Sequence, residues 1–515
     1  MKRVFALLLS FVLLLGGCTA QPKDEAVPSF SVKTDYSNYM PPEHYNPAFG
    51  GIGVTELIPR EDYGAIYPFV GESYESLWVN LWGFVDESGT VIVDPVYPFV
   101  EYRGGKDGGV WALGKMIGED ANDYSYPEYL YAAAAADGSR ITEFRYVSVE
   151  VRDGLVLAGE TVGAADEYGS NAFVFRYDIY DLELNLLTTS EELLKTMPEL
   201  SQSLSDLSCA EGMFLLSFGQ EYSEDWPGQV YYIEREGSRI LGPYNRGHDF
   251  AQGYAIVDSD DRRGRSYLDK EGNFIEGEFS AGWNFVRGIA LVSNYEDGRF
   301  TCDAIIDETG KMLLACDYGE SISIIDDCIV YEKDWDVGLT AYYTFEGELL
   351  YPQWKQDGYE GHFPSTWKHL GNGFFHDREK GEIRNILDGK LYLEGSNLEV
   401  FPMDELPYFV ITLGDEQRVY NLQMEEVMAV TEPWHSYRTD PFTGESYFCI
   451  EPLEEGLLQI FNKDMKLCFE MPWEPYYCSW EIYDGRVMYQ NEQGCRYFDM
   501  EGNVLFDYPF VSNDR

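Results

Sequence analysis

The chain has 515 residues, with 37 lysines and arginines against 90 aspartates and glutamates, for a formal net charge of −53. A field of that sign repels phosphate backbones and anionic lipid or wall polymers, which excludes nucleic-acid binding as a function class. Apolar content of 45% is ordinary for a globular protein, whereas 16% aromatic residues, 40 of them tyrosine, favours strands.

Residues 1–17 open with Lys2 and Arg3 and continue in an apolar run from Val4 to Leu15. This run is too short to span a bilayer and has the layout of a signal peptide. Leu15-Gly16-Gly17-Cys18 resembles the lipobox of bacterial lipoproteins. That resemblance implies cleavage before Cys18, acylation of its thiol, and anchoring at the extracytoplasmic face of a bacterial cell membrane. Residues 18–49 are polar, with Pro22, Pro28, Pro41, Pro42 and Pro47 and no sustained period, and read as a flexible tether.

From residue 50 to 515 a hairpin recurs. Its clearest copy is Trp82–Tyr97, two apolar strands around Asp86-Glu-Ser-Gly89. Asp86 is placed to accept a backbone N–H two residues on, and Gly89 to take the left-handed conformation that closes a bulged hairpin. Asp94-Pro95 is expected to stop the second strand, because proline lacks an N–H for the ladder. Close copies are Asp269–Gly272, Asp307–Gly310 and Asp499–Gly502, and near copies are Glu234–Gly237, Thr344–Gly347 and Ala135–Gly138. Asp388-Gly389 reads as a two-residue turn. Asp181–Leu184, Asn421–Met424 and Asn462–Met465 keep the turn without the glycine, which brings the count to eleven.

A second element precedes some of these turns. Phe250-Ala-Gln-Gly253 and Phe285-Val-Arg-Gly288 match at 35-residue spacing, with looser copies at Val151–Gly154, Cys209–Gly212 and Ile482–Gly485. Each unit therefore holds three or four short antiparallel strands. Trp82-Gly83 with Phe84-Val85-Asp86 and Gly89, and the segments Phe250–Gly253 and Phe285–Gly288, resemble the bacterial WG-repeat family. Only one unit keeps Trp-Gly; elsewhere Arg265-Ser266, Thr301-Cys302 or Cys495-Arg496 stand nearby. The family has no single assigned activity, so the resemblance implies a fold rather than a reaction.

One segment breaks the β rhythm. Thr189-Ser-Glu-Glu-Leu-Leu194 opens like a capped helix, Leu193, Leu194, Met197, Leu200 and Leu204 form its apolar face, and Pro198 kinks it or starts a second helix. The expected insert covers about 189–206.

Little in the sequence carries chemistry. No Cys-x-x-Cys pair supports zinc; Cys302 and Cys316 flank the Asp307–Gly310 turn and are candidates for a disulfide, with buried thiols as the alternative. His44, His248, His362, His369, His376 and His435 lack metal-ligand spacing. Asp258–Gly264 resembles a calcium loop only superficially, with two arginines inside it. No nucleophile elbow or phosphate loop occurs, so no catalytic residue, metal or cofactor is assigned. Most of the eleven tryptophans are expected in packing, a minority on an exposed platform for sugars or a partner.

The expected architecture is all-β, an array of about eleven short antiparallel repeats. It is propeller-like, with an open β-solenoid or two arrays as alternatives. If the array closes, Cys495–Phe506 packs against Ile66–Trp82. The expected function is a membrane-anchored protein- or glycan-binding module. The alternative is an enzyme with a carboxylate-lined site at the array axis.

Overall fold

The computed structural model describes residues 64–509, apart from 75–78, 120–126, 165–172, 220–228, 259–264, 276–278, 280, 297–298, 318, 326–327, 334–337, 404–405, 415, 431–434, 476–477 and 492. At some further strand positions, Cys302 among them, only the backbone is described. The leader (1–17), Cys18, the tether (18–49), His44 and most of the 258–264 loop lie outside the described residues.

The repeated hairpin is built from bonds within five residues. Asp86 Oδ1 accepts the N–H groups of Ser88 and Thr90, both at 2.9 Å, while Gly89 donates to the Asp86 carbonyl at φ +80°. Asp269/Gly272, Asp307/Gly310 and Asp499/Gly502 repeat the pattern, with glycine φ of +88°, +79° and +81°. In the copies without glycine, Leu184, Met424 and Met465 themselves hold φ of +59°, +59° and +56°. Two local expectations need correction. The strand Val91–Tyr97 runs through Pro95 with an irregular register, which is tolerated because it is the outer strand of its sheet. The 388–389 turn is a longer loop: Asn385 N–H bonds the Lys390 carbonyl, and Asn385 Oδ1 caps Leu387 N–H.

Among the described residues, eleven sheets follow one another in chain order. They cover 67–97, 99–146, 148–189, 204–244, 247–279, 281–315, 321–364, 367–394, 399–430, 435–473 and 479–509, numbered here 1 to 11. Most are four-stranded antiparallel meanders in sequence order. Sheet 7 carries a small ribbon, Lys355–Gln356 against Tyr359–Glu360. Between sheets 3 and 4 lie the short helix α1 (Ser190–Leu193), capped by Thr189 Oγ1 on Glu192 N–H at 3.2 Å, and a 3₁₀ turn, Pro198–Gln202. Leu194 and Leu204 are buried between the two sheets, with Leu193, Met197 and Leu200 packed beside them.

Eleven apolar clusters join each sheet to the next, and the eleventh joins sheet 11 back to sheet 1. In that closing cluster Tyr67, Phe69 and Val85 meet Met488, Cys495, Tyr497, Phe506 and Tyr508. Tyr497 Oη donates to the Pro68 carbonyl and Tyr508 Oη to that of Gly89, the latter at 2.7 Å. Internal interfaces use the same bond: Tyr232, Tyr267 and Tyr342 donate to the carbonyls of His248, Trp283 and Trp367 on the next sheet, at 2.8, 2.8 and 3.1 Å. The array is therefore one closed, propeller-like ring rather than an open solenoid or two arrays. Eleven sheets exceed the roughly four to eight blades usual in propellers.

The turns joining the first two strands of successive sheets also hold hands. Asp153 Oδ2 accepts Gly212 N–H at 2.7 Å, Glu211 accepts Gln252 and Gly253 N–H at 2.5 and 2.9 Å, and Gln252 Oε1 accepts Gly288 N–H at 2.9 Å. Residues 153–154, 211–212, 252–253, 287–288 and 484–485 all have two consecutive positive φ values, the type I′ geometry that matches strand twist.

Candidate axial binding face

First strands of successive sheets lie against one another, 99–105 with 148–152, 148–152 with 204–210, and 435–439 with 479–483, which marks the inner, axial side there. Sheets that are not neighbours also meet: Phe442, in the first hairpin of sheet 10, stacks on Tyr102 of sheet 2 at 4.3 Å and lies 6.3 Å from Tyr483 of sheet 11. Tyr102 and Tyr483 both belong to first strands. Fully buried Asp440 anchors that hairpin by accepting Asp484 and Gly485 N–H at 3.0 and 2.6 Å. The hairpin thus straps sheets 10, 11 and 2 together across the seam.

Next to this strapped arc, sheets 3 to 5 line a cavity of about 700 Å³ with their first strands and with Leu215, Ser217, Phe218, Gln229 and Val230 from the second and third strands of sheet 4. Because successive strand side chains alternate faces, Glu150 and Arg152 on sheet 3 point the same way, as do Asp206 and Ser208 on sheet 4. Arg246, His248 and Asp249 complete the wall from sheet 5. Ser208 Oγ donates to Asp249 Oδ2 at 2.8 Å, linking two sheets across the wall. Asp206 Oδ1 accepts its neighbour Leu207 N–H at 2.8 Å and the Tyr177 hydroxyl at 3.3 Å. Glu150 and Arg152 pair at 2.9 Å, both about half exposed, so that pair holds orientation more than it adds stability.

The turns set a register for this face. Three positions before the first left-handed residue stand Glu150, Ser208 and Glu481 on sheets 3, 4 and 11, and Asp249 and Asn284 on sheets 5 and 6, where an extra residue in the first strand shifts the ladder. The residue before Asp249 is His248, and the residue before Asn284 is Trp283. The carbonyl of each accepts a tyrosine hydroxyl from the preceding sheet, so Trp283 stands one sheet on from His248 at the same level. Its side chain is 50% exposed. Of the other described tryptophans, Trp111, Trp367, Trp473 and Trp480 are buried and Trp82 and Trp354 half-buried; Trp78, Trp226, Trp335 and Trp434 lie outside the described residues.

Carboxylates with displaced acidity fall into two groups. Among the lowered ones are the turn carboxylates Asp181, Asp269, Asp307 and Asp499: at Asp307 the Thr309 hydroxyl lowers it first, against desolvation, helped by Thr309 and Lys311 N–H. Among the described residues Glu481, on the first strand of sheet 11, is the carboxylate raised, by desolvation, with Arg438 lowering and Glu451 raising it. Its side chain reaches solvent yet is ringed by neighbouring strands. Glu451 accepts Ser436 Oγ at 2.7 Å and Trp480 Nε1 at 3.2 Å, and the Arg438 guanidinium lies over the Trp480 ring. His362, His369 and His376 fall on three strands of sheets 7 and 8, and His369 bonds Tyr351 Oη at 2.8 Å inside an aromatic core. Cys316 is buried against the Asp303 backbone; the Cys302 side chain lies outside the described residues.

No family model and no curated protein matches this chain. Solved structures similar to it include a eukaryotic initiation factor, at 10% identity over 86% of this chain and 95% of that one, TM-score 0.38. Apo AztD from Citrobacter koseri matches at 13% identity over 65% and 92%, TM-score 0.26, and BamB from Moraxella catarrhalis at 8% over 69% and 94%, TM-score 0.23. Likeness at these scores carries no argument here; the propeller-like assignment rests on the eleven sheets and their closure.

Proposed function

We propose that the protein is a binding module, anchored through acylated Cys18 at the extracytoplasmic face of a bacterial membrane, that captures a protein or glycan at the axial face of its ring. The supporting observation is the cavity across sheets 3 to 5, where charged and hydroxyl side chains from three sheets converge. Kinship with WG-repeat proteins belongs to the same proposal and rests on the residues around Trp82-Gly83. An axial enzyme is the weaker reading, because Glu481 would be its acid while Glu451 is engaged by Ser436 and Trp480.

The test combines location and capture. Full-length protein is expected in the membrane fraction with incorporated fatty acid, and Cys18→Ser in neither. Detergent-extracted protein is expected to retain an envelope component that the Arg152→Ala/Arg246→Ala variant releases. Unchanged fractionation of Cys18→Ser sinks the anchor, and equal capture by the double variant sinks the axial site.

A further inference from the structure

We infer that the axial face of sheets 3 to 6 is a carbohydrate site, taking a neutral or amine-bearing oligosaccharide. This rests on the binding-module reading and deepens it. A sugar ring offers one apolar C–H face and a rim of hydroxyls. Its recognition therefore needs an exposed aromatic face together with planar hydrogen-bonding groups. Both are present. Trp283, at the place His248 holds one sheet earlier, offers the aromatic face at 50% exposure. Glu150, Ser208 and Asp249 line the cavity from sheets 3, 4 and 5, and Asn284 follows Trp283 on sheet 6 as Asp249 follows His248 on sheet 5. Asp249 Oδ1 meets no donor among the described residues, while Oδ2 is held by Ser208, so the carboxylate is oriented without being used up.

Charge narrows the class. Glu150, Asp206 and Asp249 outnumber Arg152 and Arg246 around the cavity and the chain carries −53, so uronic or sulfated saccharides are disfavoured against neutral or amino sugars. Backbone geometry argues against the obvious protein alternative, a peptide adding as an extra strand. On sheet 5 the first strand spends four residues, His248 to Ala251, against three on its partner, Tyr254 to Ile256. Sheet 6 repeats this, Trp283 to Val286 against Ile289 to Leu291. These bulges break the regular row of groups that strand addition requires.

The experiment is a titration of detergent-solubilised full-length protein with three probes: chitotetraose, its fully deacetylated amine form, and a tetragalacturonate. Binding is read by tryptophan emission and by calorimetry, alongside a pull-down from envelope extract. At least one of the first two probes is expected to bind, with a change in emission, and the acidic one to bind more weakly. Trp283→Ala should weaken that binding about tenfold or more, the loss expected when one ring's stacking is removed. Asp249→Asn should also weaken it, whereas Phe401→Ala, an exposed ring on sheet 9, should not, with Tm preserved in all three. Preference for the acidic probe, or wild-type affinity in Trp283→Ala, overturns the inference. If no probe binds but an envelope protein is still captured and lost on Arg152→Ala/Arg246→Ala, the sugar site is wrong while the binding module stands.

Discussion

Glu481 shows what the axial environment does to one carboxyl. Desolvation by the surrounding inner strands raises its pKa, Arg438 offsets part of that and Glu451 adds to it. A raised pKa means the folded chain holds this proton more tightly than the unfolded one. The resulting stability is complete below the unfolded carboxyl value of about 4.3 and is lost as pH rises through the folded value. At neutral pH the ionised Glu481 therefore works against the fold. Glu481→Gln is expected to raise Tm at pH 7.5 and to leave it unchanged near pH 4, measured by thermal scans across that range; an offset independent of pH would show that the titration is not the cause. His376 and His435 act in the opposite sense. Desolvation is the leading cause that lowers both, so their neutral forms contribute stability above about pH 6.5 that drains away as pH falls.

At the scale of the hairpin, the aspartate and glycine of each turn are three residues apart and their bonds are local, so the all-β repeat was legible from short patterns. The last turn position is less simple than a glycine requirement. At Gly272 a Cβ would approach Leu241 Cδ2 of the preceding sheet at 3.0 Å, and φ is +88°. At Met424 the φ is +59°, yet the side chain is only 6% exposed and fills the cluster between sheets 8 and 9. Left-handed strain there, about 1–2 kcal/mol, is outweighed by apolar burial of about 2–5 kcal/mol on truncation. Gly272→Val should therefore destabilise by about 1–3 kcal/mol through strain and crowding. Met424→Gly, which relieves the strain, should destabilise as well. Thermal denaturation of both variants checks this, and a Met424→Gly protein as stable as the parent would mean the burial contributes no more than the strain costs. The axial residues were hidden for the opposite reason. Glu150, Ser208, Asp249 and Asn284 are different residue types, each unremarkable in its own strand, and only the folded ring brings the first three into one cavity. The fixed offset from the following turn was the signal available.

At the scale of the whole ring, no strand is exchanged between the two ends among the described residues. Sheet 1 is built entirely from 67–97 and sheet 11 from 479–509, so closure depends on side chains 400 residues apart in sequence. Such contacts leave no mark in a local pattern, which is why closure could be posed from the sequence but not decided. Two devices hold the seam: the Tyr67–Tyr508 cluster with its tyrosine bonds, and the 440–445 hairpin that reaches past sheets 11 and 1 to stack Phe442 on Tyr102. In an open array each repeat touches only its neighbours, and losing the last one subtracts its own share. In this ring, removing residues 490–515 strips partners from Tyr67, Phe69 and Val85 at the other end of the chain. The truncated protein is therefore expected to melt as a whole at a lower temperature than the full chain in calorimetry. Phe442→Ala, which keeps every strand, should lower Tm in the same direction by loosening the strap. If the truncated chain instead melts at the parental temperature with a proportionally smaller enthalpy, the seam carries no cooperativity and the ring behaves as an open array that happens to meet itself.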